Sequence, residues 1–287
     1  MPRPLRRIPL PRGELRLGPR TLIMGVVNVT PDSFSDGSLF LEQERAVEQG
    51  LALAAQGADI LDVGGESTRP GAEPVSARVE QERVLPVIEA LAARCPAVIS
   101  VDTSKAAVAE AALTAGAQVI NDITALRGDP DMAALAAASG AGLILMHMQG
   151  QPRTMQNNPH YDDVVAEVKA FLAQQAQAAL AAGVARERII LDPGIGFGKT
   201  LEHNLALIRG LGQLAELGHP LLLGASRKSF VGRLTGREAP QDRLWGSLGA
   251  HVLGAALGAD IVRVHEAAPY REALAVSDAV MALEARP

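Results

Sequence analysis

Eight short apolar runs, each ending in a polar cluster, set the strongest constraint on how this 287-residue chain can fold. TLIMGVVN ends in VTPDSFSDGS, DILDV in GGESTRPGA, AVISV in Asp102-Thr103-Ser104-Lys105 and QVI in Asn121-Asp122. GLILM ends in His147-Met148-Gln149-Gly150, IIL in Asp192-Pro193-Gly194, LLLG in Ser226-Arg227-Lys228-Ser229, and IVRV in His265-Glu266. Runs this apolar suit strands buried on both faces, which means a parallel sheet. Between them lie Ala/Leu/Glu/Arg-rich stretches at helical spacing, among them 41–56, 77–93, 164–182 and 244–257. Gly57, Gly116, Gly140, Gly183 and Gly258 each stand just before the next strand, where a left-handed helix cap belongs. The pattern predicts a single-domain α/β fold, a (β/α)8 TIM barrel over residues 21–287. A doubly wound open sheet is the alternative, but it gathers its functional residues at one switch point. Here nearly every strand end is polar, and in a barrel all eight ends meet on one face.

The segment before the barrel, residues 1–20, is rich in Arg and Pro, with Leu15 and Leu17 alternating with polar residues. It reads as a loose N-terminal arm with a short edge strand and no chemistry. Its arginines do not make a nucleic-acid arm on a chain whose net charge is −5 and whose pI is near 5.7. A single cysteine, Cys95, excludes an internal disulfide and points to a reducing compartment. No apolar run approaches a membrane span, and residues 1–20 lack the unbroken apolar core of a signal peptide. The expectation is a soluble cytoplasmic protein acting on small molecules, with neither nucleic acid nor membrane as partner.

Four acids or amides follow apolar strands directly: Asn28, Asp102, Asn121 and Asp192. Asp102, before Thr-Ser-Lys, taken alone reads as a helix cap. Four together suit a flat, N–H-rich heterocycle better than four independent caps. The tip Glu66-Ser67-Thr68-Arg69-Pro70-Gly71 sets an acid, two hydroxyls and a guanidinium on a turn, a group expensive to bury for packing alone. Lysines are scarce, only Lys105, Lys169, Lys199 and Lys228 among 27 basic side chains. Lys228, after a strand and close to Gly224 and Ser226, is the one placed to donate to a ring or to form a Schiff base. Lys105 and Lys199 read as solvated or supporting charges at helix starts. Arg263 and His265, two apart on the last strand, share one face and can bind an anion, with Asn28 helping to hold a bridged metal.

Two motifs fail. Gly194 to Thr200 would be a phosphate loop except that its first glycine falls on Pro193, and the third glycine of a dinucleotide fingerprint comes one residue early. The six histidines show no metal-ligand spacing, and His147 reads as structural. Phe34 and Phe197 lie in glycine-rich loops, each either a wall for an aromatic substrate or a loop anchor.

The segments NVTPDSFSDG (28–37), DVGGESTRPGA (62–72), SVDTSK (100–105), IND (120–122), MHMQG (146–150), LDPGIGFGK (191–199), SRKSF (226–230) and RVH (263–265) together resemble the signatures of the dihydropteroate synthase family. The resemblance covers residues 21–265 in order and spacing; Ile195 departs from a phenylalanine common in the family. It implies an enzyme that joins 6-hydroxymethyl-7,8-dihydropterin diphosphate to p-aminobenzoate and releases pyrophosphate in folate synthesis. It further implies that Asp102, Asn121, Asp192, Lys228 and Arg263 bind the pterin, with Lys228, Arg263 and Asp102 at the reacting centre. Asn28 would hold Mg²⁺ on the diphosphate, which Thr68, Arg69, Arg263 and His265 would bind. Phe34, Thr68, Arg69, Pro70, Phe197 and Ser229 would form the p-aminobenzoate side. A homodimer is expected from the same resemblance; the apolar helices at 244–257 and 274–283 either supply its interface or, as is the default, simply pack on the barrel.

Other readings keep the fold. A Schiff-base aldolase on Lys228 gives the Asn/Asp set no purpose. A pterin-binding methyltransferase domain has no need of a diphosphate site. A non-catalytic pterin-binding paralogue need not retain Asn28, Arg69, Lys228 and His265 together.

Overall fold

A computed structural model describes residues 4–30, 39–67, 73–151 and 153–282. Two short strands, β1 (Arg6–Pro9) and β2 (Glu14–Leu17), precede the repeated units. These are β3 (Leu22–Asn28) with α1 (Leu39–Ala55), β4 (Ile60–Gly64) with α2 (Ala77–Arg94), β5 (Val98–Asp102) with α3 (Ala106–Ala115), and β6 (Val119–Asp122) with α4 (Met132–Ser139). There follow β7 (Gly142–Met146) with α5 (Val164–Ala181), then β8 (Ile189–Asp192) with α6 (Leu201–Arg209) and α7 (Leu211–Ala215). The last units are β9 (Leu222–Leu223) with α8 (Ser229–Thr235) and α9 (Leu244–Ala256), and β10 (Ile261–Val264) with α10 (Ala268–Ala282).

The helices begin where their first amides find acceptors. Ser76 caps α2 through the Val79 amide, and Asp163 caps α5 by accepting from the amides of Val165 and Ala166, each at 3.0 Å. All five glycines expected to close helices have positive φ.

The eight barrel strands pair in parallel in the order β8-β7-β6-β5-β4-β3-β10-β9, and a parallel bridge from Leu191 to Leu221 closes the ring. This is the predicted (β/α)8 barrel. Alternation along each strand sorts side chains between two cores. Ile23, Leu61, Val101, Leu145 and Leu191 face outward into one large cluster with helix residues such as Val84, Leu91, Val168 and Leu172. Met24, Ile60, Val119, Ile144, Ile190, Leu222 and Ile261 instead form a separate inner cluster at the amino-terminal end of the barrel.

The arm is not loose. β1 and β2 pair antiparallel with each other and not with a barrel strand, so neither forms an edge of the barrel sheet. Ile8, Leu10, Leu15 and Leu17 are buried in the inner cluster, so the hairpin stoppers the floor of the barrel. The alternation of Leu15 and Leu17 registers with Ile8 and Arg6 across the hairpin, giving it the apolar face that an open barrel end would otherwise expose to water. Arg12 fixes the tip, donating from its side chain to the Gly116 carbonyl at 2.6 Å and from its amide to Gln118 Oε1 at 3.1 Å. Among the described residues no helix is long and apolar enough to cross a membrane.

Leu17 is 1% exposed, and its truncation leaves a cavity that the rigid floor cannot fill. Leu17→Ala should lower the unfolding free energy by about 3 kcal/mol. Guanidinium denaturation is the measurement: the midpoint falls while the slope is unchanged.

Candidate active site

One step up five of the eight barrel strands from the inner cluster, the barrel interior turns polar. Ile60 is followed two residues later by Asp62, Val119 by Asn121, Ile190 by Asp192 and Ile261 by Arg263. The same two-residue step carries Val98 to Ser100 and then Asp102. Apolar floor and polar upper half therefore come from the same alternation.

Arg263 organises the upper half. Its Nε donates to Asp62 Oδ2 at 2.6 Å and its Nη2 to Asp102 Oδ2 at 2.7 Å. Asn121 Nδ2 donates to the same Asp62 oxygen at 3.0 Å. Burial pushes the Asp102 carboxyl above the usual range; Arg263 opposes this, and the nearby charges of Asp62, Glu80 and Asp122 add to it. Arg263, though desolvated, is held even more firmly protonated by Asp62 and Asp102. Asp102 is not a helix cap: the Ala106 amide at the start of α3 donates to Asp129 at 2.8 Å.

Asp192 closes the ring at the end of β8, 5% exposed, accepting from the Gly194 amide at 2.7 Å. Burial pushes it up to about 6, against that hydrogen bond and the positive charges of Lys228, Arg263 and Lys199. Lys228 is lowered to about 8, first by burial and then by Arg263, while Asp192 and Asp102 work the other way. Its Nζ stands 4.0 Å from the centroid of the Phe197 ring, a cation–π contact. The Phe197 ring thus faces Lys228 and also packs against the cluster of Met146, Met148 and Met155.

The turn that aims Lys228 is strained. Arg227, not a glycine, has φ of 59°. It is fixed from three sides: its amide donates to Ser247 Oγ at 2.9 Å, its carbonyl accepts from Arg243 Nη1 at 2.9 Å, and its guanidinium pairs with Glu266. Next to it Ser226 Oγ lies 3.0 Å from His265 Nδ1, joining the Lys228 turn to the end of β10.

Of the two readings for Lys105 and Lys199, solvated or supporting, both lysines take the supporting one. Lys199 is 3% exposed, its Nζ 2.9 Å from His147 Nδ1 and donating to the Phe197 carbonyl at 2.9 Å. Burial drops it to about 7. Lys105 is half-buried and bridges Glu66 and Glu80, the latter at 2.6 Å. His147 is structural as expected, edge-on to Phe171 and lowered to about 3 by burial and by Lys199 and Arg127, so it is neutral. Gly194 has φ of 68°, and a Cβ there would stand 1.9 Å from the His147 carbonyl oxygen, so only glycine lets these two loops cross.

Asn28 is exposed at the carboxyl end of β3, and Ser229 is exposed as the first residue of α8. Phe34, Thr68, Arg69 and Pro70 lie outside the described residues. Asp102, Asn121, Asp192, Lys228 and Arg263 come together, as one rim requires. The sequence reading passed over Asp62 as part of an apolar strand. Its signal was an acid inside a run otherwise buried on both faces.

Residues 24–265 match the family model described as pterin binding enzyme. The chain is 46% identical to dihydropteroate synthase of Synechocystis sp. over 95% of each chain, and 47% identical to that of Escherichia coli over 90% of this chain and 91% of the other. The chain belongs to the dihydropteroate synthase family of pterin-binding enzymes. The solved structure of Xanthomonas albilineans dihydropteroate synthase with 4-aminobenzoic acid superposes with a TM-score of 0.91, at 48% identity over 98% of this chain and 100% of that one. The same enzyme in complex with 7,8-dihydropteroate superposes with a TM-score of 0.88 over 97% of this chain.

For a dihydropteroate synthase two of the perturbed groups on the rim, Asp192 and Lys228, predict a pH window. Asp192 is ionised above about 6 and Lys228 protonated below about 8. If the pterin ring needs the carboxylate as acceptor and the ammonium as donor, its affinity is highest between those values. It should fall about tenfold per pH unit outside them. Titration calorimetry across pH is the measurement: Asp192→Asn should remove that residue's share of the acid limb, and Lys228→Met the alkaline limb.

Proposed function

We propose that the mouth of this barrel joins 6-hydroxymethyl-7,8-dihydropterin diphosphate to p-aminobenzoate, giving 7,8-dihydropteroate and pyrophosphate. The observation that carries this reading is the convergence of acids, an amide and two cations from distant strands on one polar rim above an apolar floor. Asp102, Asn121, Asp192 and Lys228 bind the edges of the pterin and Arg263 lies against its face. Arg263 and His265, with Thr68 and Arg69, take the diphosphate. Phe34, Pro70, Phe197 and Ser229, with Thr68 and Arg69, receive p-aminobenzoate.

Such a site needs no strong base. Diphosphate is a good leaving group once its charge is held, so the C–O bond can break first and leave a cation delocalised into the electron-rich ring. The arylamine is neutral at physiological pH and adds its lone pair to the exocyclic carbon, then sheds a proton. The residues contribute by stabilising the departing anion and by keeping water from the cation. Asp102 and Asp192 also place negative charge beside the positive ring.

Mg²⁺ suits the donor set. Asn28 offers a hard amide oxygen at the end of β3, and among the described residues no three His, Cys, Asp or Glu side chains form a ready-made metal cage. An ion of this kind, which keeps its waters and binds through one or two protein oxygens plus substrate phosphates, fits a site of that description. When bound, it would neutralise charge on the diphosphate.

We infer further that two copies associate through α9 and α10. Trp245 is 75% exposed and Val276 68%, with Leu253 and Val280 also exposed on the same two packed helices. The lone, half-buried Cys95 and the absence of a spanning helix among the described residues suit a cytoplasmic enzyme.

Turnover with pterin diphosphate and p-aminobenzoate, read as pyrophosphate release with and without Mg²⁺, is the deciding experiment. Lys228→Ala and Asp192→Ala should each lose pterin affinity by about a hundredfold, while Phe34→Ala mainly raises KM for p-aminobenzoate. Unchanged pterin diphosphate affinity in Asp192→Ala would sink the assignment. In sedimentation velocity, Trp245→Glu should shift a dimer to monomer with its fold intact.

A further inference from the structure

The hydrogen bonds at the centre of the barrel have a direction. Asp62 Oδ2 receives two donors, Arg263 Nε at 2.6 Å and Asn121 Nδ2 at 3.0 Å. An ionised carboxylate can only accept. The Asn121 amide must therefore present its nitrogen to Asp62, and its carbonyl oxygen is turned to the opposite side of the group. With Asn121 only 4% exposed and Asp62 fully buried, little room remains for a water to take over either role.

We propose that Asp62 is the positioning residue that sets ring specificity, by locking the Asn121 amide in one of its two orientations. This rests on the placement of the pterin ring against Asn121. In the locked orientation the amide offers a carbonyl acceptor beside its second N–H donor. That pair complements a ring edge carrying an amino group next to an unprotonated ring nitrogen, the amidine edge of a pterin. A 2-oxo ring reverses the pattern, with a ring N–H next to a carbonyl, and meets acceptor with acceptor and donor with donor. Without Asp62 the amide can turn over and match the reversed edge.

The geometry separates this role from ordinary support. Asp62 Oδ1 is buried and has no hydrogen-bond partner among the described residues, so the residue's directional work there passes through one oxygen. Arg263 keeps Asp102 as a second partner when Asp62 is removed. An acceptor at the Oδ2 position is what matters for Asn121, and the charge is not. Asparagine at position 62 can keep a carbonyl oxygen there; leucine, of nearly the same shape, cannot.

The test measures dissociation constants of the full chain for 6-hydroxymethylpterin and its 2-oxo counterpart, 6-hydroxymethyllumazine, by titration calorimetry. The unaltered protein should favour the pterin by on the order of a hundredfold or more. Asp62→Asn should retain that ratio. Asp62→Leu should bring the ratio to within about tenfold, with lumazine binding gained in absolute terms. Asp62→Ala is the second variant should leucine not be accommodated, and it should behave like leucine. If Asp62→Leu or Asp62→Ala weakens both rings equally and leaves the ratio intact, the residue is merely structural and the proposal is overturned. Asn121→Ala separates the two levels. If it too preserves ring affinity and ratio, the placement of the ring against Asn121 has failed; if it abolishes them while the Asp62 variants do not, only the role given to Asp62 has failed.

Discussion

The guanidinium of Arg263, set between the carboxylates of Asp62 and Asp102, holds the upper half of the barrel together. Taking three charges out of water is costly, and their mutual attraction repays the cost only when the geometry is good. The geometry is supplied by the sheet. β10 and β4 flank β3, and β5 lies beyond β4, so one side chain reaches across the mouth to tie three strands. Loss of Arg263 would leave two buried carboxylates without their counterpart, a larger penalty than the net worth of the pairs, whereas loss of either acid leaves Arg263 the other. The cluster is therefore weak as a source of stability and strong as a fixer of position.

Strands carry Asp62, Asp102, Asn121, Asp192 and Arg263, while Lys228 and Phe197 stand on turns. That division places directional contacts on elements that hold their geometry closely. The turns are themselves braced. Arg227 keeps its unfavourable φ because Ser247, Arg243 and Glu266 over-determine it. The loop from Gly194 to Gly198 is pinned at three points, by the close crossing with His147, by Gln156 on the Gly196 carbonyl at 2.6 Å and by Tyr161 on the Gly198 carbonyl at 2.9 Å. Buried Lys199 ties the same loop from below.

Much of this was legible in the chain because its signals are local. Apolar runs marked the strands, and the helix at 77–93 was found as Ala77–Arg94. Polar residues after each run gave Asp102, Asn121, Asp192, Lys228 and Arg263 as neighbours once the barrel was inferred. What stayed hidden depended on how the ring closes. Asp62 reads locally as one acid in a strand; its partners come from positions 121 and 263, and nothing nearby in sequence announces them. Lys199 follows a glycine-rich loop at a helix start, where a solvated and a supporting charge look alike; the crossing of two loops buries it. Residues 1–20 have the composition of a tail, and the open floor of a barrel explains why Leu15 and Leu17 set the hairpin of residues 6–17 in place.

The hairpin stopper makes the barrel a blind well. Among the described residues the hairpin closes the floor below Asn121, and Asn28 and Ser229 stand exposed at the opposite end. In a well stoppered at its floor, a deep occupant and a shallow one must share the end that stays open.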